Sequence, residues 1–133
     1  MNKNLIVAAC ILGGTSVIFG AFGAHALKAL ISLESQQTFE TGVRYQMYHA
    51  LFLFLVGNSN LISKKVKNIV MYLVVIGVLF FSGSIYGLST NELVGFDFKS
   101  IAFITPIGGL LMILAWSWVI IDLLKNKVKN GLK

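Results

Sequence analysis

Ten side chains in this sequence have the chemistry to bind or react in an apolar setting, and they fall into four short runs. His25 lies in GAFGAHAL (20–27); Arg44, Tyr45, Gln46, Tyr48 and His49 lie in RYQMYH (44–49). Ser82, Ser84 and Tyr86 lie in FSGSIYGL (81–88), and Thr105 lies in ITPIGG (104–109). Histidine titrates near neutral pH, so His25 and His49, with Arg44 and Tyr48, suit proton or small-molecule transport. The same two imidazoles, on adjacent helices at nearby depth, suit axial ligation of a haem. Amide, phenol and hydroxyl groups suit hydrogen bonding between helices, worth about 0.6 kcal/mol on average in a membrane. Hydrolysis has the least support. The sequence holds no metal box, nucleophile elbow or Gly-rich phosphate loop, and only Glu40 approaches the depth of Ser82 and Ser84.

The elements that must position these residues follow from composition. The 133-residue chain is 56% hydrophobic and only 12% charged, with mean hydropathy +0.82. A soluble domain typically carries about 25% charged residues, so the bilayer is the solvent this composition fits. Four stretches are long enough to cross it at 1.5 Å per residue: 5–27, 43–62, 69–88 and 101–124. Backbone groups in hydrocarbon must pair within each segment, so the expected fold is all-α, a four-helix integral membrane bundle forming a single domain. The first span has neither the polar lower half nor the cleavage pattern of a signal peptide and is read as retained. Cys10, the one cysteine, rules out an intramolecular disulfide and reads as a small packing residue.

Lysine placement sets the orientation. Lys3, Lys64, Lys65, Lys67, Lys125, Lys127, Lys129 and Lys133, eight of the eleven basic residues, fall on one side of a four-pass chain. By the positive-inside rule both termini are cytoplasmic, in a plasma (inner) membrane. The lysines flank apolar spans instead of interleaving with aromatics on a polar face, which argues against nucleic acid as a partner. On this topology the four polar runs converge in the outer half of the bilayer. At 100° per residue Tyr48, Tyr45, His49 and Gln46 share one broad arc with Arg44 at its edge, leaving Val43, Met47, Leu51 and Phe54 on the other. His49 is expected about 9 Å inside its span. Glu40 and Arg44 pair at i,i+4 on a helix that begins near Ser35, with Ser35 as its cap. Asp122, three residues before Lys125, reads as an interfacial anchor. Trp118 and Tyr72 read as aromatic anchors, with Trp116 deeper, in a contact.

Small residues supply the helix contacts. Ala9, Gly13, Ser16, Gly20 and Ala24 form a stripe on the first span, with Gly23 beside it. Gly83 and Gly87 repeat the spacing on the third, and Gly108 and Gly109 thin the fourth. Such faces let helix backbones approach when burial of apolar surface supplies no driving force.

The runs GAFGAHAL, TFETGVRYQMYHAL, FSGSIYGL and ITPIGG, followed by tryptophan and taken in this order, resemble the domain-of-unknown-function 423 family, which includes transmembrane protein 256-like proteins. The resemblance covers about residues 5–124 and matches at Gly20, Gly23, His25, Gln46, Tyr48, His49, Ser82, Gly83, Ser84, Thr105, Pro106 and Gly108. It implies a small multi-pass protein of bacterial plasma membranes and carries no settled biochemical function. The leading expectation is therefore a non-enzymatic accessory, assembly or lipid-interaction bundle without a cofactor. Its partners would be the bilayer, other membrane proteins or further copies of itself. Transport through a His/Arg/Tyr-lined outer vestibule comes second, and a bis-histidine haem protein third.

Overall fold

The computed structural model describes residues 2–129, with side chains from Asn2 to Asn126. The side chains of Lys127 and Lys129, and all of Lys133, counted above among the topology lysines, lie outside the described residues.

Four long helices account for the architecture: α1 (Lys3–Ala24), α2 (Leu33–Asn58), α3 (Lys64–Ser89) and α4 (Ile104–Lys129). Each start has a local cause. Asn2 accepts from the Leu5 amide at the head of α1, Ser32 accepts from Ser35 at the head of α2, and Ser63 accepts from Val66 at the head of α3. Pro106 sits in the first turn of α4, where an absent amide donor costs nothing. The α1–α2 and α3–α4 connections contain short 3-10 turns at 27–29, 91–93 and 98–101.

Chain neighbours are also neighbours in space: α1 packs on α2, α2 on α3, and α3 on α4. Each pair is antiparallel. Gly13 faces Ala50 while Gly23 faces Phe39, and Gly77 faces Met112 while Ser84 meets Thr105. Two apolar cores result. The larger lies toward the end that holds the N-terminus and the α2–α3 connection, and includes Leu5, Leu53, Val56, Val70, Val74, Met112 and Ala115. The smaller lies at the far end and joins Leu27, Ile31 and Phe39, with Val43 and Tyr86 against it.

The outside is as apolar as the inside. Ile11, Val17, Ile18, Leu51, Leu55, Leu79, Ile113 and Ile120 all stand exposed, a continuous greasy surface that belongs in lipid. Among the described residues three helices are long and apolar enough to cross a membrane: Lys3–Ala24, Lys64–Ser89 and Ile104–Asn126. The fourth, α2, has the length but carries Glu34, Glu40 and Arg44 in its first half. The span expected at 43–62 is therefore part of a helix that starts ten residues earlier and ends at Asn58. Its cap is Ser32, not Ser35, because Ser32 is the residue whose extended backbone precedes the first helical turn.

Candidate functional site

His49 lies about 24 Å along α2 from Leu33 and about 14 Å from Asn58. Along α2 the buried residues Phe39, Gly42, Gln46, His49, Leu53 and Val56 recur in alternating steps of three and four, the spacing of a helix seam, and buried Ala50, Phe52 and Gly57 widen that face toward a second neighbour.

Gln46 and His49 occupy the centre of that seam and each joins α2 to its neighbours. The Gln46 amide nitrogen donates to the Leu12 carbonyl at 2.9 Å and to Thr15 Oγ1 at 2.7 Å, both on α1. Its amide oxygen accepts from the Tyr86 hydroxyl of α3 at 2.7 Å. One side chain thus ties three helices. His49 Nδ1 donates to the Tyr45 carbonyl at 2.8 Å, which leaves Nε2 to accept from the Trp116 indole N–H of α4 at 3.1 Å. The neutral imidazole therefore has both nitrogens engaged. Trp116 also stacks on Phe52, with ring centroids 3.9 Å apart.

Two serines extend the layer along the helix crossings. Ser16 Oγ donates to the Val43 carbonyl at 2.9 Å, joining α1 to α2. Ser82 Oγ donates to the Gly42 carbonyl at 2.7 Å, joining α3 to α2. Ser84 and Thr105 form a separate α3–α4 link beyond this layer. Ser82 is therefore a hydroxyl committed to a backbone acceptor, and Ser84 is paired with Thr105 and the Phe81 carbonyl.

Four of the expected cluster members lie elsewhere. Tyr45 and Tyr48 are 40% and 52% exposed, because the seam turns Gln46 and His49 inward and leaves the intervening positions outside. They pack edge to face on each other, and Tyr45 also covers Phe81. Arg44 is exposed and its Nη2 donates to Glu40 Oε1 at 2.7 Å, the expected i,i+4 pair. His25 is the exposed C-cap of α1. The facing of Gly13 and Ala50 puts His49 beside the middle of α1, so His25 lies roughly 18 Å farther along the bundle. At that separation the two imidazoles do not meet, and Arg44 instead lines a separate cavity of about 330 Å³ with Ala24, Gln36 and Glu40. Among the described residues no three histidine, cysteine or acidic side chains cluster as metal ligands.

The glycines divide similarly. Gly13, Gly20 and Gly23 face α2, and Gly108 and Gly109 face α3. Gly87 instead receives the Phe98 ring of the α3–α4 connection, and Gly83 has open space where a side chain would stand. Gly83 borders an apolar groove of about 500 Å³ lined by Phe19, Phe22 and Tyr86 between α1 and α3. Gly42, Gly57 and Gly77, unremarked in the sequence, each stand against a neighbouring helix. Cys10 is exposed, so Ala9 beside it is the packing residue.

A second polar group, at the end holding the α2–α3 connection, was read only as topology signal and anchor. Asp122 of α4 accepts from the Ser63 amide at 2.7 Å and from Ser63 Oγ at 3.0 Å. Asn126 donates to Asp122 and to the Leu61 carbonyl. Lys67 is buried, with Nζ donating to the Gly57 carbonyl at 3.3 Å. A charged residue recurring in register with Val66, Val70 and Val74 was the signal available for Lys67.

Four antiparallel helices with an apolar exterior and polar groups turned onto one another define a helical membrane protein. The chain belongs to the family whose model is described as "Protein of unknown function (DUF423)", which matches residues 19–109. Its relatives are named UPF0382 membrane proteins. One from Staphylococcus haemolyticus is 37% identical, over 92% of this chain and 97% of that one. YwdK of Bacillus subtilis is 34% identical, over 92% and 98%. The inner membrane protein YgdD of Escherichia coli K12 is 29% identical, over 97% and 95%. No solved structure matches the chain.

Proposed function

We propose that this chain is a non-enzymatic accessory bundle of the plasma membrane, acting in assembly or lipid interaction, whose interior polar residues hold the helices in register. The observation that supports this is how those residues use their hydrogen-bonding capacity. Gln46, His49, Ser16 and Ser82 direct it at neighbouring helices, and among the described residues no buried side-chain nitrogen or oxygen lacks a partner. A transport site needs groups free to meet a solute, and intramembrane polar groups that are fully engaged serve packing.

The substitution His49→Gln separates the two roles. Glutamine retains a donor and an acceptor, so stability in mild detergent is expected to change by no more than about 1 kcal/mol. Vesicles reconstituted with wild type are expected to show no proton or small-ion flux above protein-free vesicles between pH 5.5 and 8, a range that brackets imidazole titration at about 6.5. A wild-type flux that His49→Gln abolishes with helicity intact would overturn this reading in favour of transport.

Both termini are assigned to the cytoplasm, on the eight lysines at that end. A fluorescent protein fused after Lys133 is expected to mature and an alkaline phosphatase to stay inactive. The reverse pattern reverses the topology.

A further inference from the structure

Beside the start of α1, a cavity of about 460 Å³ opens between the N-terminal ends of α1 and α3 and the C-terminal end of α2. That is within the ordinary size of a small-molecule site. Three lysines line it, Lys3, Lys64 and Lys67, together with the amides of Asn2, Asn4 and Asn60. Among the described residues no carboxylate lines it.

Lys67 is the unusual member. It is 6% exposed, and a buried ammonium is costly unless it is paired. Among the described residues its one bond, to the Gly57 carbonyl, is at 3.3 Å, and that carbonyl also accepts the Asn2 amide at 3.0 Å. An ammonium has three donors, so two remain. Among the described residues the only ion pair is Arg44–Glu40, in the other half of α2. Asp122, the one acidic residue in this half of the bundle, accepts from Ser63 and Asn126 instead. The N-terminus of α1 adds partial positive charge to the same opening, while that of α3 is already served by Asp122.

Three cations, the amides of Asn4 and Asn60 and the N-terminus of α1 around one cavity make a site for an oxyanion. We propose that this pocket binds a phosphate-bearing anion, and that the acidic headgroup of a phospholipid supplies it. Basic pockets between spans at headgroup depth take such groups. Ile62 in the lining and exposed Leu61 beside it offer apolar surface for the attached chains. The site is independent of the accessory reading, since a bundle that transported a solute would carry it equally.

The test is native mass spectrometry of the full chain in mild detergent, with phosphatidylglycerol, phosphatidylcholine or sodium phosphate added. Lys3 and Lys64 are exposed, so Lys3→Ala with Lys64→Ala leaves the packing in place, and a thermal melt verifies that. Wild type is expected to retain one phosphatidylglycerol, and the double variant to bind it roughly twentyfold more weakly, at about fivefold per lysine. Phosphatidylcholine, zwitterionic, is expected to bind both alike. The control removes the same charge outside the lining, Lys65→Ala with Lys125→Ala, and is expected to change affinity less than about twofold. A melting-temperature rise with sodium phosphate alone, lost in the Lys3/Lys64 variant, would support the anion pocket with a soluble ligand as its source. Equal retention of the two lipids overturns the proposal, as does an equal loss in the Lys65/Lys125 control, which would mean surface charge alone.

Discussion

Gly108→Ala is expected to separate α3 from α4 and to cost about 3 kcal/mol, at the upper end of what overpacking a tight contact does. A Cβ at Gly108 would stand 2.4 Å from the Phe81 amide nitrogen and 2.6 Å from the Gly77 carbonyl. Both are helix backbone, with no rotamer to change, so relief comes only from moving a whole helix. Gly77→Ala lies on the other side of the same crossing but meets Met112 Cγ first, at 2.9 Å. Methionine is flexible and yields, but the Gly108 carbonyl at 3.1 Å is backbone and must give by a few tenths of an ångström, so about 1–2 kcal/mol is expected there. Gly83→Ala meets nothing within 4 Å and is expected to be neutral, or to gain a few tenths of a kcal/mol from helix propensity. The measurement is the SDS concentration at which helicity is lost. Equal midpoints for Gly108→Ala and Gly83→Ala would show that the close crossing does not exist.

That ordering also shows what small-residue spacing in a sequence does and does not reveal. Gly83 and Gly87 have the four-residue spacing of a packing face, yet one opens onto a groove and the other receives a ring from a connection. Gly42 and Gly77 lack such a partner in their own helix, yet each stands at a crossing, against Ile85 and Tyr86 or against Met112. The partner's side chain decides, and it lies on another helix. Hydropathy made the four helices legible, because apolar runs of this length have few other destinations. The Glu40–Arg44 pair was legible because it is local to one helix.

Depth and facing were harder to read. Depth was counted from Val43, where the apolar stretch begins, whereas the helix begins at Leu33, ten residues earlier and close to the expected Ser35. The facing error has a different source. The expected arc groups Tyr45 and Tyr48 with Gln46 and His49, whereas α2, lying between α1 and α3, buries an arc centred on the seam Phe39, Gly42, Gln46, His49, Leu53 and Val56 and widened by Ala50 and Gly57, with Tyr45 at its margin and Tyr48 beyond it. Tyrosines one position away from that seam turn outward, where an amphipathic ring suits a lipid-facing surface. Reading the alternating three-and-four spacing first would have separated the two pairs.

The second large effect is expected at Asp122. Placed three residues before Lys125, it resembles an interfacial anchor, yet Lys125 and Asp122 form no ion pair and the carboxylate is buried. It instead spans two helices: Ser63 caps α3, and Asp122 of α4 accepts from both the Ser63 amide and its hydroxyl. A negative group at a helix N-terminus is favoured by the helix dipole, and hydrogen bonds to charged groups are worth about 1.5–3 kcal/mol. Asp122→Ala removes that acceptor and leaves the Ser63 amide unserved, so a loss of about 2–3 kcal/mol is expected. Asp122→Asn keeps one oxygen and is expected to lose about half as much. A simple anchor predicts otherwise: Asp122→Ala and Lys125→Ala would cost about the same, and less than about 0.5 kcal/mol each. The decisive measurement is the cycle with Ser63→Ala, read from SDS unfolding midpoints. If Asp122 acts through Ser63, the double variant is expected to be only slightly less stable than Asp122→Ala alone. Losses that simply add would mean that the Ser63 hydroxyl and Asp122 stabilise the bundle separately, leaving only the Ser63 amide to join α3 to Asp122.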